Sequence, residues 1–248
     1  MQENTKTLPV RHNPYLHDLV WELLQKCSPG RLLDIPSGPG YFARQVLSFG
    51  FDAVAAEIDS DLHYFEDVTY RTMDMAREFP LESASFDYIV SIEGIEHIEN
   101  QNLFIRECHR VLKPGGRLFL TTPNVSSLEN RFGFLITGYH DNPPKPVRSD
   151  RGNIFMEHIN LIPFHRLEVF LRLAGFKIET LTTYRRRKGS CFLYPFIYPL
   201  AFLRYRSAFK KHFKGKPGEE NYREIYRQYL SRTILCGSHI VIVALKKN

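Results

Sequence analysis

The 248-residue chain has no apolar run approaching the roughly 20 residues that a bilayer-spanning helix needs. Its first residues, MQENTKTLPVRHNPY, hold no apolar segment of the kind a secretory leader requires. Cysteine is scarce. Cys27, Cys108, Cys191 and Cys236 lie 81, 83 and 45 residues apart, which fits neither a zinc site nor a disulfide framework. Reduced thiols and a cytoplasmic setting are therefore expected. Acidic charge is missing from one long stretch: residues 185–218 contain ten Lys or Arg and no Asp or Glu. The whole chain has 33 basic and 27 acidic residues, so 23 basic groups face 27 acidic ones elsewhere. All of the positive excess sits in that one segment, and such a segment usually faces something anionic. With 43% apolar and 24% charged residues, the remainder reads as an ordinary globular domain with one sizeable core.

Leu16, Leu19, Val20, Leu23, Leu24 and Cys27 recur at helical spacing before Ser28-Pro29-Gly30. Short apolar segments at Arg31–Ile35, Ala53–Ile58, Phe86–Ile92 and Arg117–Thr122 read as strands. Helical patterns lie between them, at Tyr41–Leu47 and around Phe104, Cys108, Val111 and Leu112. Strands alternating with helices imply a mostly parallel sheet with right-handed crossovers. From Val125 to Glu157 the period lapses, and a loop-rich lid is expected. A helix through Leu167, Phe170, Leu171 and Ala174 follows, closed by Gly175, then a strand at Lys177–Thr183. A helix carries Tyr222, Ile225, Tyr226, Tyr229 and Leu230 on one face, and the last strand is His239–Leu245. There is no internal repeat.

Leu32–Val46 reads as strand, Gly-containing turn, helix. Small residues let a ligand approach the turn, and the helix start offers unpaired N–H groups. A structural turn would look the same. The second strand, however, ends in Glu57, 17 residues past Gly40, where a carboxylate can accept from both hydroxyls of a ribose. NAD and S-adenosylmethionine (SAM) both fit to this point.

Five pieces then occur in order: LDIPSGPG, AVAAEID, the Asp74-Met75 pair, FDYIVSIEGIEHI and VLKPGGRLFLTTPN. A sixth, HINLIPFHRLEVFLRLAGF, follows. Over roughly Leu32–Glu179 this set resembles the class I SAM-dependent methyltransferase family. The resemblance implies a single domain over 1–248 with a Rossmann-like, seven-stranded, mostly parallel sheet flanked by helices. Its last strand would be antiparallel, with a lid insertion at 125–157 after the fifth strand and a basic, aromatic, helical insertion at 185–236 before the last. It also implies that Asp34, Ser37, Gly38 and Gly40 line the methionine end of SAM. Glu57 would hold the ribose, Ile58 would lie against the adenine, Asp74 would accept from the adenine amino group, Met75 would pack on its ring, and Ser91 would stand near the ammonium. Asp74 also fits a helix cap. Pro36 replaces the family's usual Gly and removes an N–H from the turn.

Methyl transfer from a sulfonium needs in-line positioning and a deprotonated acceptor. If a helical turn begins at Ser91, Glu93, Glu96 and His97 share a face, and His158 joins them from across the insertion. His97 then reads as a metal-free general base, a metal ligand or a hydrogen-bonded structural group. As metal ligands, Glu93, Glu96, His97 and His158 would suit Mg or Mn through oxygen, and Zn or Fe through nitrogen. The pattern is similar to the ubiquinone-pathway O-methyltransferases and to metal-dependent small-RNA 2′-O-methyltransferases.

In the basic segment, Arg185–Lys188 precede CFLYPFIYPLAFL (Cys191–Leu203), and six more cations follow by Lys216. Aromatics and cations around a 13-residue apolar run suit an anionic membrane interface. A core-packed insertion and an RNA surface are the other readings. The leading expectation is O-methylation of a small, lipid-soluble or lipid-linked acceptor by a cytoplasmic enzyme, peripheral at the inner face of the cytoplasmic membrane. The alternatives are a metal-dependent RNA 2′-O-methyltransferase and a non-catalytic SAM-binding regulatory protein.

Overall fold

In the computed structural model, which describes residues 13–140 and 158–247, each apolar segment read as a strand pairs into one sheet. The elements in chain order are α1 (Pro14–Leu24), β1 (Arg31–Asp34), α2 (Tyr41–Leu47), β2 (Asp52–Glu57), β3 (Thr69–Thr72) and β4 (Phe86–Ser91). Next come α3 (Gln101–Val111), β5 (Leu112–Pro123), α4 (Leu128–Thr137), α5 (Phe164–Ala174) and β6 (Phe176–Thr182). The chain ends with α6 (Lys188–His212), α7 (Glu219–Tyr229), α8 (Arg232–Cys236) and β7 (His239–Lys246). The seven strands lie in the order β3-β2-β1-β4-β5-β7-β6. Neighbours are parallel from β3 to β5, and β7 runs antiparallel to both β5 and β6.

Strand side chains alternate between faces, so each strand feeds two cores. Leu33, Ile89, Leu118, Leu120 and Ile242 pack on one face with Phe104 and Cys108 of α3 and Phe164 and Leu167 of α5. Leu32, Val90, Phe119 and Val241 pack on the other with Leu16 and Val20 of α1 and Phe42 and Val46 of α2. Burying a side chain of this size stabilises by about 1.5–3 kcal/mol. The chain reverses its lateral direction between β1 and β4, which opens a crevice at the carboxyl ends of those strands, where open α/β sheets bind ligands.

The sequence reading missed three features. β3 is an edge strand, TYRT, with little burial and hence no apolar pattern. β5 begins at Leu112 rather than Arg117, because Lys113–Gly116 continue it as a lead-in without an apolar side chain at 115 or 116 and exposed at Pro114 and Gly115. The expected loop after Asn124 is partly wrong: α4 starts at Leu128, its N-cap Ser127 Oγ accepting from Asn130 N. The rest of the expected lid, 141–157, lies outside the described residues. β7 confirms the antiparallel last strand.

The turn after β1 is locked from two sides. Gly40 has φ +87°, and a Cβ there would lie 2.5 Å from Tyr70 Oη, which itself donates to Pro39 O at 2.7 Å. Across the crevice, a Cβ on Gly94 would lie 2.3 Å from Pro36 Cδ. The Pro36 ring thus fills the space that a side chain at 94 would need. Gly94→Ala is expected to destabilise the protein by roughly 1–3 kcal/mol through overpacking and to weaken cofactor binding by displacing the turn. Denaturant melts and calorimetry would measure both; unchanged values would show that the turn tolerates the shift.

Candidate active site

Two carboxylates end adjacent parallel strands. Asp34 closes β1 and is buried; its Oδ2 accepts from Ala43 N of α2 at 3.1 Å. Glu57 closes β2; its Oε2 accepts from Gly38 N at 2.8 Å and its Oε1 from Ile58 N at 2.9 Å. Ser37 N donates to Ala56 O, so the turn is stitched to β2. Gly38 has φ +51°, and a Cβ there would meet nothing within 4 Å. Open space therefore adjoins the turn on that side. Burial pushes Asp34 up to about 8, the Ala43 N–H opposing and Glu57 adding to the rise. Burial also raises Glu57, against the hydrogen bonds from Ile58 and Gly38. Two buried carboxylates at one crevice favour a cationic ligand.

The remaining expected cofactor residues divide. Ser91, the last residue of β4, is fully buried, and its Oγ has no hydrogen-bond partner, an arrangement that asks for a ligand atom. Ile58 is half-buried just beyond Glu57. Asp74 accepts from Ala76 N at 2.8 Å and from Arg77 Nε at 3.1 Å, so it braces its own turn, and Met75 packs into the core.

The expected quartet does not assemble as one helical face. Glu93 has φ +53°, and the turn that follows, Ile95–His97, is a single 3-10 turn. Thr121 accepts from Glu93 N and donates to Glu93 Oε1, both at 3.0 Å. Thr122 donates to Glu96 Oε2 at 3.1 Å. Because consecutive strand residues point to opposite faces, the two threonines hold the two glutamates in different hydrogen-bond groups. Glu93 instead meets His239 of β7, with Oε2 3.1 Å from Nε2.

Glu96, His97 and His158 do come together, each offering one ligand atom, all within 4.8 Å of one another. The two imidazoles stand 5.0 Å apart, edge to face. Glu96 is fully buried; its Oε1 has no hydrogen-bond partner, and burial, with Glu93 adding to it, holds its carboxyl well above the usual range. Gln101 Nε2 donates to Ile95 O at 2.9 Å and Asn160 O at 2.6 Å, while Asn160 N donates to Glu96 O. These bonds fix the return of the chain after the insertion and so bring His158 beside His97. Sequence reasoning missed Thr121, Thr122, Gln101, Asn160 and His239, because their partners are distant in sequence and no local period marks them.

A family profile described as a methyltransferase domain matches residues 11–181. The chain belongs to the class I S-adenosylmethionine-dependent methyltransferase family. It is 34% identical over 172 residues to a probable S-adenosylmethionine-dependent methyltransferase of Mycolicibacterium smegmatis, covering 66% of this chain and 58% of that protein. It is 29% identical over 142 residues to the mitochondrial ubiquinone biosynthesis O-methyltransferase of Rattus norvegicus, covering 50% and 41%. The chain thus spans about half the length of these curated relatives. In fold it is similar to a SAM-dependent methyltransferase from Archaeoglobus fulgidus, with a TM-score of 0.55 at 18% identity over 93% of this chain and 94% of that one.

SAM carries a sulfonium, an ammonium and a ribose diol. The crevice offers two buried carboxylates, an unpartnered hydroxyl and open space at Gly38, so the residues present fit the cosubstrate of this family. A cation favours ionised Asp34, which holds its proton below about 8 in the free protein. SAM affinity is therefore expected to rise with pH up to about 8 and then level off, with a proton released on binding at pH 7. Calorimetry in buffers of different ionisation enthalpy measures this release; no net release, or the same release in Asp34→Asn, would remove Asp34 from that role.

Proposed function

We propose that this chain transfers the methyl group of SAM to an oxygen of a small, lipid-soluble or lipid-linked acceptor at the cytoplasmic face of a membrane, and that His97 takes the acceptor's proton. The observation that carries the reading is the Glu96–His97–His158 group, which follows β4 directly and so adjoins the crevice holding Asp34, Glu57 and Ser91. The acceptor O–H gives its proton to the imidazole, and the freed oxygen pair forms the new bond to the methyl carbon. The carbon–sulfur bond breaks with its electrons kept by sulfur, leaving a neutral thioether. Glu57 would hold the ribose, Asp34, Ser37, Gly38 and Gly40 the methionine end, Ser91 the ammonium, and Ile58, Asp74 and Met75 the adenine. The similarity to the ubiquinone biosynthesis O-methyltransferase supports an oxygen acceptor of lipid character.

A second reading rests on the partnerless Glu96 Oε1 and the three convergent ligand atoms. If a divalent ion is held, Glu96, His97 and His158 hold it, with Glu93 outside the group, and Mg or Mn would lower the acceptor hydroxyl's pKa. An RNA 2′-hydroxyl would suit that chemistry, with salt-sensitive RNA binding as its mark. A non-catalytic SAM-binding role would be excluded by any methyl transfer.

Glu57→Ala is expected to weaken SAM binding by about 1.5–3 kcal/mol, since charge-assisted hydrogen bonds are lost; unchanged affinity by calorimetry would take Glu57 out of the site. His97→Ala is expected to lower turnover roughly 100-fold or more while leaving S-adenosylhomocysteine affinity near the wild-type value. Loss of activity in EDTA, restored by Mg or Mn, would favour the metal reading; indifference would favour the metal-independent base. His239→Ala is the control, since Glu93–His239 is a second carboxylate–imidazole pair. Full turnover in His97→Ala with loss in His239→Ala would move the base to His239.

A further inference from the structure

The part of the chain that the methyl-transfer site leaves unexplained is α6 with its neighbour α4. We propose that the outer faces of these two helices form a docking surface for an anionic lipid bilayer, on which the chain lies without crossing it. This rests on the lipid-acceptor reading for its purpose, but not for its physical basis.

The polarity of α6 runs along its length. From Gly189 to Leu203 it carries no charge, and Arg204, Arg206, Lys210 and Lys211 occupy the second half. Arg185–Lys188 precede the apolar part, so cations bracket it at both ends. Those 15 residues span about 22 Å as a helix, short of the roughly 30 Å of a hydrocarbon core. Among the described residues no helix is long and apolar enough to cross a membrane.

The apolar half has two faces. Leu193, Tyr194 and Tyr198 pack inward on Leu128, Leu235 and Cys236. Phe192, Phe196, Leu200 and Leu203, at i, i+4, i+8 and i+11, are each 61–72% exposed. Pro195 and Pro199 are also exposed, so the carbonyls their missing N–H groups leave unpaired lie toward the outer side. The helix α4 repeats the pattern: Phe132, Leu135 and Ile136, at i, i+3 and i+4, are all more than half exposed, and Tyr139, just past the C-cap Gly138, is 51% exposed. Ser190 Oγ accepts from Glu129 N at 2.9 Å and Arg187 lies 3.6 Å from Glu129, which pins the start of α4 to the first turn of α6. Two adjoining helices thus each turn an apolar stripe outward, more than scattered surface apolars would give.

Charge selects the occupant. Between α6 and α7 lies a groove of about 760 Å³ with Tyr205 and Tyr226 in its wall and Arg206, Lys210, Lys214 and Arg232 around it. Among the described residues no acid lines the groove, and two of the three acids of α7, Glu219 and Glu224, are engaged by Arg223 and Arg227. Anionic headgroups satisfy the cations while acyl chains take the stripes. A nucleic acid would meet the charge but leave Leu135, Ile136, Leu200 and Leu203 without bases to stack on. A second copy would bring ten cations against ten. The placement also suits the proposed chemistry: α4 leaves β5 just past Thr121 and Thr122, which hold the site glutamates, so the surface adjoins the acceptor side.

The test is co-sedimentation of the full chain with vesicles of phosphatidylcholine, alone or with a quarter phosphatidylglycerol, with no methyl acceptor present. Binding is expected to the anionic vesicles and not the neutral ones, and to weaken with salt. Replacing Arg204, Lys210 and Lys211 by Gln should lower affinity on the order of 100-fold at low salt. Phe196→Ser with Leu200→Ser should lower it about tenfold or more and remove the salt-resistant part. Both variants should bind S-adenosylhomocysteine as the wild type does, which shows that they fold. A wild type that ignores anionic vesicles at low salt overturns the inference; RNA oligonucleotide binding or self-association in its place would give the surface to those partners. Vesicle binding without methyl transfer to any lipid would sink the proposed acceptor and leave the docking surface standing.

Discussion

Thr121 and Thr122 are consecutive on β5, and the pleat sends their hydroxyls to opposite faces of the sheet. Thr121 takes both the amide and one carboxylate oxygen of Glu93; Thr122 takes one carboxylate oxygen of Glu96. Glu93 and Glu96 are only three residues apart, so the chain between them has to turn sharply. The positive φ of Glu93 and the single 3-10 turn at Ile95–His97 are how it does so. The two carboxylate–imidazole groups follow from this turn. On one face Glu93 reaches His239; on the other, Glu96 stands with His97, and the Gln101 and Asn160 bonds bring His158 to them. A continuous α-turn would have merged these two groups into one.

The crevice depends on a different economy. Asp34 and Glu57 are buried carboxylates whose main partners are backbone N–H groups of the turn and of α2 rather than cations. Such groups stay short of full compensation, which is why burial raises them, and a cationic ligand would supply the difference. Pro36, which departs from the family pattern, costs little here. The N–H groups that organise the turn belong to Ser37, Gly38 and Gly40, and the Pro36 ring fills the space that Gly94 leaves.

The sequence made the frame of the fold legible because β1, β2, β4, β5 and β7 are apolar enough to announce themselves, and α3 and α5 keep a clean period. β3 was invisible for the opposite reason, as an edge strand with little to bury. The crevice residues Asp34, Ser37, Gly38, Gly40, Glu57 and Ser91 are legible as candidates because one turn and three strand ends carry them, and these are local features. The quartet was read with the wrong period: helical spacing was assumed where strand pairing decides. His239 had no local signal at all, since 146 residues separate it from Glu93 and only the antiparallel insertion of β7 beside β5 brings them together.

The same logic explains why the basic segment resisted a sequence reading. Its charge bias and its 13-residue apolar run are plain in the sequence, but they fit a membrane face, a core-packed insertion and an RNA surface alike. In α6 the prolines sit four residues apart on the exposed side, so both missing N–H groups fall along one line and the inner line of hydrogen bonds stays whole. On the inner face Leu193, Tyr194 and Tyr198, with the Ser190 and Arg187 contacts to Glu129, hold the helix to α4 and α8. The rest of the apolar surface is surplus to folding. A segment that met only the demands of the core would have polar residues at 192, 196, 200 and 203 and acids among its cations. Neither is present, and it is this surplus that the proposed bilayer contact would use.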